Sequence, residues 1–387
     1  MKILVDENIP YGLEAFGSLG EVETAPGRSI TRDMLLDVDA LMVRSITKVN
    51  AELLDGTPVR FVGTATIGED HIDKAWLAEQ GIGFTSAPGC NANSVAEYIV
   101  AALLELRQRY ALDFSTMSLG VVGVGNVGSK VVQKAKALGL KVVQNDPPLA
   151  EQTGDPVYES LEAVQACDII TFHVPLNKTG PHPTHQLADK AFLTDLKESA
   201  LLFNTSRGAV VDNKALKDHL GENKLREAVL DVWESEPTPD LELLSRCFIA
   251  TPHIAGYSFD GKVNGTVQIY QALCAHLGLK ASWSPKKLLP PPDCPVWEAP
   301  DEYEDPFSVL HQAVRAVYPI LEDDVRMRGI LEVAPKDRGA YFDRLRKEYP
   351  RRREFQNTKV VLDDCDTDLK QCFVAMGFQV AHNEVLQ

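Results

Sequence analysis

Through the first two-thirds of the chain, apolar residues fall in short unbroken runs, separated by longer stretches in which apolar positions recur at helical spacing. Lys2 to Asp6 (KILVD), Val22 to Thr24, Ala40 to Val43 and Arg60 to Gly63 read as strands of a first α/β unit. Runs of this kind suit strands buried on both faces, and their alternation with amphipathic stretches predicts a parallel sheet. A long helix follows, capped by Asn93 or Ser94 and carried by Val95, Ile99, Leu103 and Leu106 to about Tyr110. A second series of runs begins at Leu119 to Val122. It continues with Leu140 to Val143, Asp168 to Val174, Ala200 to Asn204, Glu227 to Val232 and Cys247 to Ala250, six strands in all. The helical stretch Lys262 to Leu277 carries no new strand and is expected to cross back to the first unit.

Prolines 285, 290, 291, 292, 295 and 300 mark Ser284 to Pro300 as a linker. Beyond it, Pro306 to Val317 and Ala340 to Tyr349 are helical in pattern and Lys359 to Leu362 is a β run. A helix near Asp366 to Ala375 and a strand at Phe378 to Ala381 complete a small α+β unit. The expected domains are therefore 1–93 with 256–284, 94–255, and 285–387.

The first strand of the second series runs straight into Gly123-Val124-Gly125-Asn126-Val127-Gly128. GxGxxG spacing alone is weak, but here strand, glycines, helix, second strand and an acid at Asp146 come in order. That order predicts a dinucleotide site. Gly123 permits the tight turn, Gly125 lets the backbone approach a pyrophosphate, and Gly128 lets the helix pack closely. The helix places its positive end under the phosphates. Asp146 is suited to a ribose 2′-hydroxyl, and Pro147 and Pro148 after it offer no charge for a 2′-phosphate, so NAD is expected rather than NADP.

A length of 387 residues suits two or three domains. The longest apolar stretches are broken by charges before the roughly 20 residues of a membrane span, and a cytoplasmic location is expected. Seven scattered cysteines without a CxxC pair predict reduced thiols. His182 and His185 resemble a short metal-ligand pair, but their loop supplies no further ligand and no metal site is expected. A net charge of −16 argues against nucleic-acid binding and requires that any anionic substrate be held by a local group of positive side chains. The basic run from Arg344 to Arg353 is interrupted by acids and reads as a salt-bridged helix face or a subunit contact.

Open parallel sheets bind ligands beyond the C-terminal ends of their strands. In the first unit those ends carry Arg44-Ser45 and Gly63-Thr64-Ala65-Thr66. In the second they carry Arg207, Glu236 and His253. Hydride loss from an alcohol needs a base for the hydroxyl proton, a task that suits a histidine. A carboxylate beside it would stabilise the imidazolium that forms, and an arginine would grip a substrate carboxylate bidentately. His253, Glu236 and Arg207 are the candidates for these three roles.

Seven segments occur together in order: GTATIGEDHID (63–73), APGCNANSVAEY (87–98), GVGNVG, HVPL (173–176), NTSRGAVVD (204–212), LDVWESEP (230–237) and PHIAG (252–256). Over roughly residues 1 to 285 the chain resembles the D-2-hydroxyacid dehydrogenase family. The resemblance implies two doubly wound parallel-sheet domains, a Rossmann-type NAD domain and a flavodoxin-like substrate domain, followed here by the small α+β unit. It also implies that Arg207 binds substrate, His253 is the acid/base and Glu236 its partner. Nicotinamide-side contacts are implied for His173, Val174, Thr205, Ser206, Gly208, Asp231 and Gly256. Gln186 departs from a Thr-x-His-Leu pattern common in relatives and is expected to lie away from the chemistry.

VRSITKVN (43–50), the Gly256-Tyr257-Ser258 ending and FDRLRKEYPRRREF (342–355) resemble one branch of the family. That branch acts on a small phosphorylated 2-hydroxy acid and uses its tail as a dimerisation domain. This likeness implies substrate contacts from Arg44, Ser45, Thr66 and Tyr257, and a homodimer. A D-3-phosphoglycerate dehydrogenase is the alternative within the family. An NAD-sensing interaction protein of the corepressor kind is the alternative from another class.

Overall fold

The computed structural model describes residues 1–303, 305–362 and 367–382. The chain forms two compact units, residues 1–91 with 258–291, and residues 92–257 with 292–387.

The first unit is built on β1 (Lys2–Asp6), β2 (Glu21–Ala25), β3 (Ala40–Val43), β4 (Phe61–Thr64) and β5 (Gly83–Thr85). They form one parallel sheet in the order β2-β1-β3-β4-β5, the flavodoxin-like doubly wound order. β1, β3 and β4 are buried almost throughout, which is why they read as apolar runs. Helix Phe259–His276 returns to this sheet, and Ile269, Tyr270 and Leu273 pack with Ile3, Val5 and Phe61. β5 was not anticipated: it has three residues, half-buried, with a glycine at its start.

In the second unit, β6 (Ser118–Val122), β7 (Lys141–Asn145), β8 (Ile169–Phe172), β9 (Leu201–Asn204), β10 (Glu227–Leu230) and β11 (Ile249–Ala250) make a parallel sheet ordered β11-β10-β9-β8-β6-β7. A single parallel bridge from Gln144 to Tyr158 adds a vestigial strand outside β7. With it the order through β10 is that of the Rossmann sheet, β11 adding a seventh strand, and the reversal point lies between β6 and β8. Asp146 caps the helix Pro147–Thr153, which the two prolines open at positions where no backbone donor is needed.

The C-terminal segment has its own parallel sheet, β12 (Val296–Glu298), β13 (Lys359–Leu362) and β14 (Gln379–His382), ordered β12-β13-β14. β12 lies in the stretch expected to be linker. The helix expected near Asp366 is described from Thr367 to Met376, and Asp366 and Cys365 lie outside the described residues. This segment shares one core with the nucleotide-binding part. Val309, Leu310, Phe355, Phe373 and Met376 are buried together with Val95 to Leu106 and with Val131, Val132 and Ala135. A helix the pattern did not reveal, Ile320–Arg328, lies along the sheet edge: Asp324 accepts the Ala250 N–H at 2.8 Å and Arg328 donates to the Cys247 carbonyl at 2.7 Å. It thereby satisfies an edge strand that would otherwise present unpaired backbone groups.

Candidate active site

The glycine turn leaves β6 with Gly123 at φ 85°, a conformation that favours glycine. Asp146 at the end of β7 accepts the Val124 N–H at 2.8 Å and so pins the turn to the neighbouring strand. Gly128 sits in the first turn of helix Asn126–Ala137, where a Cβ would overlap the Gly123 carbonyl. At Gly125 a Cβ would meet nothing within 4 Å, and no side chain caps the helix that starts there. The N–H groups of Asn126, Val127 and Gly128 are among the donors that a helix leaves open at its start.

His173 and Val174 follow β8. The His173 ring contacts the hydroxyls of Thr171 (Nε2, 3.0 Å) and Thr205 (Nδ1, 3.3 Å). Loss of solvation with no charged partner lowers its pKa to about 3, so its imidazole is neutral at physiological pH. After β9, buried Asn204 accepts from the backbone and hydroxyl of Ser206 and donates to the Arg207 carbonyl at 3.0 Å. A Cβ on Gly208 would overlap the Trp233 carbonyl, so only glycine lets the Arg207 loop lie against the Trp233 loop.

Asp231, at the end of β10, organises the loop that carries the histidine. It is 1% exposed, and its carboxylate accepts from the Thr251 hydroxyl at 2.6 Å, the Ile254 N–H at 2.7 Å and the Ala255 N–H at 2.9 Å. Its carbonyl takes the His253 N–H at 2.7 Å, and the loop ends at Gly256. Held this way, His253 adopts φ 60°. Its Nδ1 lies 2.8 Å from Glu236 Oε2, while Glu236 Oε1 accepts the Trp233 N–H at 2.9 Å. Burial would raise the Glu236 pKa, but the neighbouring His253 and the Trp233 donor hold it below the ordinary carboxylate range. Glu236 is therefore ionised and fixes a donor on Nδ1, leaving Nε2 to accept a proton.

In the first unit, Arg44 and Ser45 follow β3, and Thr66 stands two residues beyond β4. One terminal nitrogen of Arg44, Nη1, is buried with no partner among the described residues, a donor suited to an anion. Thr66 is held by the Thr64 hydroxyl at 2.8 Å and donates to the Gly68 carbonyl at 3.0 Å.

Several contributors were not legible in the sequence. Trp233 ties the loops that carry Glu236 and His253 together by donating from Nε1 to the Thr251 carbonyl at 3.0 Å, and Ser94 donates to the Ala255 carbonyl at 2.9 Å. Gln186 has φ 49° and its N–H donates to the Ala209 carbonyl at 2.7 Å, two residues beyond Arg207. Within the basic run, Arg352 is buried rather than surface-exposed and reaches Glu97 and Ser94 at 2.7 Å each. His182 lies 3.0 Å from Glu151, and among the described residues no three metal-ligating side chains come together.

Comparison with known proteins accords with this geometry. The model of the D-isomer specific 2-hydroxyacid dehydrogenase NAD binding domain matches residues 97–255, and a domain of unknown function matches residues 288–377. The erythronate-4-phosphate dehydrogenase of Edwardsiella ictaluri is 48% identical over 379 residues, covering 98% of this chain and 99% of that protein. Its namesake from Proteus mirabilis is 45% identical over 383 residues, covering 99% and 100%. The chain belongs to the erythronate-4-phosphate dehydrogenase family.

Among solved structures, D-lactate dehydrogenase of Aquifex aeolicus, complexed with NAD and lactic acid, is similar with a TM-score of 0.59 and 26% identity. The likeness covers 71% of this chain and 95% of that one. Membership of the erythronate-4-phosphate dehydrogenase family makes NAD the cofactor to fit. The open face at Gly125, the uncapped helix start and the Asp146 carboxylate accommodate a pyrophosphate and a ribose hydroxyl, because a carboxylate oxygen already bonded to Val124 can accept again.

Proposed function

We propose that the protein oxidises the C2 hydroxyl of 4-phospho-D-erythronate to (R)-3-hydroxy-2-oxo-4-phosphooxybutanoate in pyridoxal phosphate biosynthesis. The observation that carries the chemistry is the 2.8 Å contact between His253 Nδ1 and Glu236 Oε2, the latter on the loop that Gly208 lets lie against the Arg207 loop. Bound NAD would supply the hydride acceptor, held by Gly123 to Gly128, Asp146, His173, Val174, Thr205 to Gly208, Asp231 and Gly256. The choice of substrate is supported by the likeness over nearly the whole chain to proteins named for that acid.

Arg207 grips the C1 carboxylate, which fixes the carbon that loses hydride. His253 Nε2 accepts the C2 hydroxyl proton, and Glu236 stabilises the cation that forms. Arg44, Ser45 and Thr66 hold the phosphate end, with Tyr257 as a further substrate contact. No helix among the described residues is long and apolar enough to cross a membrane; we place the enzyme in the cytoplasm as a homodimer joined through the C-terminal segment.

The test of the chemistry is His253→Asn, chosen because asparagine tolerates the left-handed backbone at this position. The variant should bind NAD as the native protein does and turn over at least about 100-fold more slowly. Turnover within a few-fold of native would remove His253 from proton transfer.

A further inference from the structure

The C-terminal segment lies beside the catalytic loops of its own chain, in the same compact unit. Helix Arg338–Lys347 begins against the residues that follow Glu236: a Cβ on Gly339 would stand 3.3 Å from Pro237 Cγ and 3.6 Å from Thr238 Cγ2. Near the other end of the helix, the Arg346 guanidinium lies 5.7 Å from the centroid of the Tyr257 ring, within cation–π range. Tyr349 packs edge-on against the same ring, with centroids 5.9 Å apart and planes at 86°. Tyr349 is itself fixed through its hydroxyl, which donates to Asp323 at 2.8 Å. Tyr257 is thus held by two side chains of the tail.

We propose that Arg346 is a positioning residue for the dehydrogenase reaction, fixing the Tyr257 ring and supplying a permanent positive charge beside Glu236. On this account the C-terminal segment completes the catalytic centre of its own chain. The proposal rests on the functional reading above and extends it to the C-terminal segment.

Three observations favour it. Arginine is the one side chain that both lies flat on an aromatic face and stays charged at every physiological pH. Arg346 Nε is buried with no hydrogen-bond partner among the described residues. Burial would lower the Arg346 pKa, but Tyr257, Glu236 and, on its own helix, Asp343 hold it above the ordinary range, and the positive charge of Arg346 adds to that of His253 in lowering the Glu236 pKa. That addition matters because His253 must be neutral to accept a proton. At that moment the histidine offers Glu236 no charge, and Arg346 does.

The experiment compares the full-length native protein with Arg346→Met, Arg346→Lys and, as a control, Arg344→Met, whose side chain lies over Tyr341 instead. With 4-phospho-D-erythronate as the probe, Arg346→Met should lower kcat/KM by about 10- to 100-fold. It should also move the acid limb of the pH profile upward, with NAD affinity unchanged. Arg346→Lys should restore the acid limb but keep a raised KM, because the flat contact with Tyr257 is lost. Arg344→Met should behave as native.

An acid limb and kcat/KM equal to native in Arg346→Met would overturn the proposal, as would losses that merely track the folded fraction. If Arg346→Met does not fold, Arg346→Lys decides, and a native KM there would overturn it. If the native protein oxidises a different 2-hydroxy acid, only the substrate assignment fails and the same comparison is made on that acid. If it oxidises none, the dehydrogenase reading fails. Arg346 is then judged by NMR titration of Glu236, whose midpoint should rise in Arg346→Met and would stay at the native value if the proposal were wrong.

Discussion

At Gly125 an added methyl group would meet no protein atom within 4 Å, whereas at Gly128 it would overlap the Gly123 carbonyl. The two positions therefore separate binding from folding. Gly125→Ala should cost only about 1 kcal/mol, from the poorer helix N-cap, yet weaken NAD binding at least about tenfold, because the methyl enters the approach to the pyrophosphate. Gly128→Ala should cost more than about 3 kcal/mol of stability through backbone displacement. Calorimetry with and without NAD measures both, and equal loss of stability in the two variants would contradict this division. The placement of the glycines, Asp146, Arg207, Glu236 and His253 beyond the ends of strands was legible in sequence because each follows a continuous apolar run. Arg346 was not. Its partners Glu236 and Tyr257 lie on other loops far away in sequence, and within its own run of charges it looks like any solvated helix face.

The elements most plainly written in the sequence were the buried strands, whose continuous apolar runs survive in β1, β3, β4, β6, β8, β9 and β10. β5 and β12 carry too few residues to form such a run, and helix Ile320–Arg328 has three acids and two arginines that blur its apolar stripe. One of those acids gives the helix a pH signature. Burial raises the pKa of Asp323 to about 6, against the pull of the Tyr349 hydroxyl and of Arg326. An aspartate in the unfolded chain releases its proton near pH 4, so between about pH 4 and pH 6 the folded state binds more protons than the unfolded one. Stability from this group is fully present below that window and falls as pH rises through it, by up to about 3 kcal/mol. Asp323→Asn keeps an acceptor for Tyr349 and should flatten this slope in urea denaturation; an unchanged difference between native and variant across the window would contradict it.

At the scale of the whole molecule, periodicity showed that the tail has a buried face but not what buries it. Val309, Leu310, Phe355 and Phe373 suit the core of a separate domain equally well, yet they pack against the long helix Ala92–Tyr110 and the helix that follows the glycine turn. The tail also brings Arg352 to Glu97 in the interior and Asp324 to the edge of the sheet. A chain ending at Pro291 should therefore expose a large apolar surface and aggregate; a soluble, monomeric product that binds NAD normally would show the tail to be dispensable for this core. With the tail in place, the central claim is that this molecule is a dehydrogenase selective for a four-carbon phosphorylated acid. The most direct test is the rate of NADH formation with 4-phospho-D-erythronate and with 3-phospho-D-glycerate at matched concentrations. Clear preference for the four-carbon acid is the predicted result, and preference for the three-carbon acid, or no NADH from either, would contradict it.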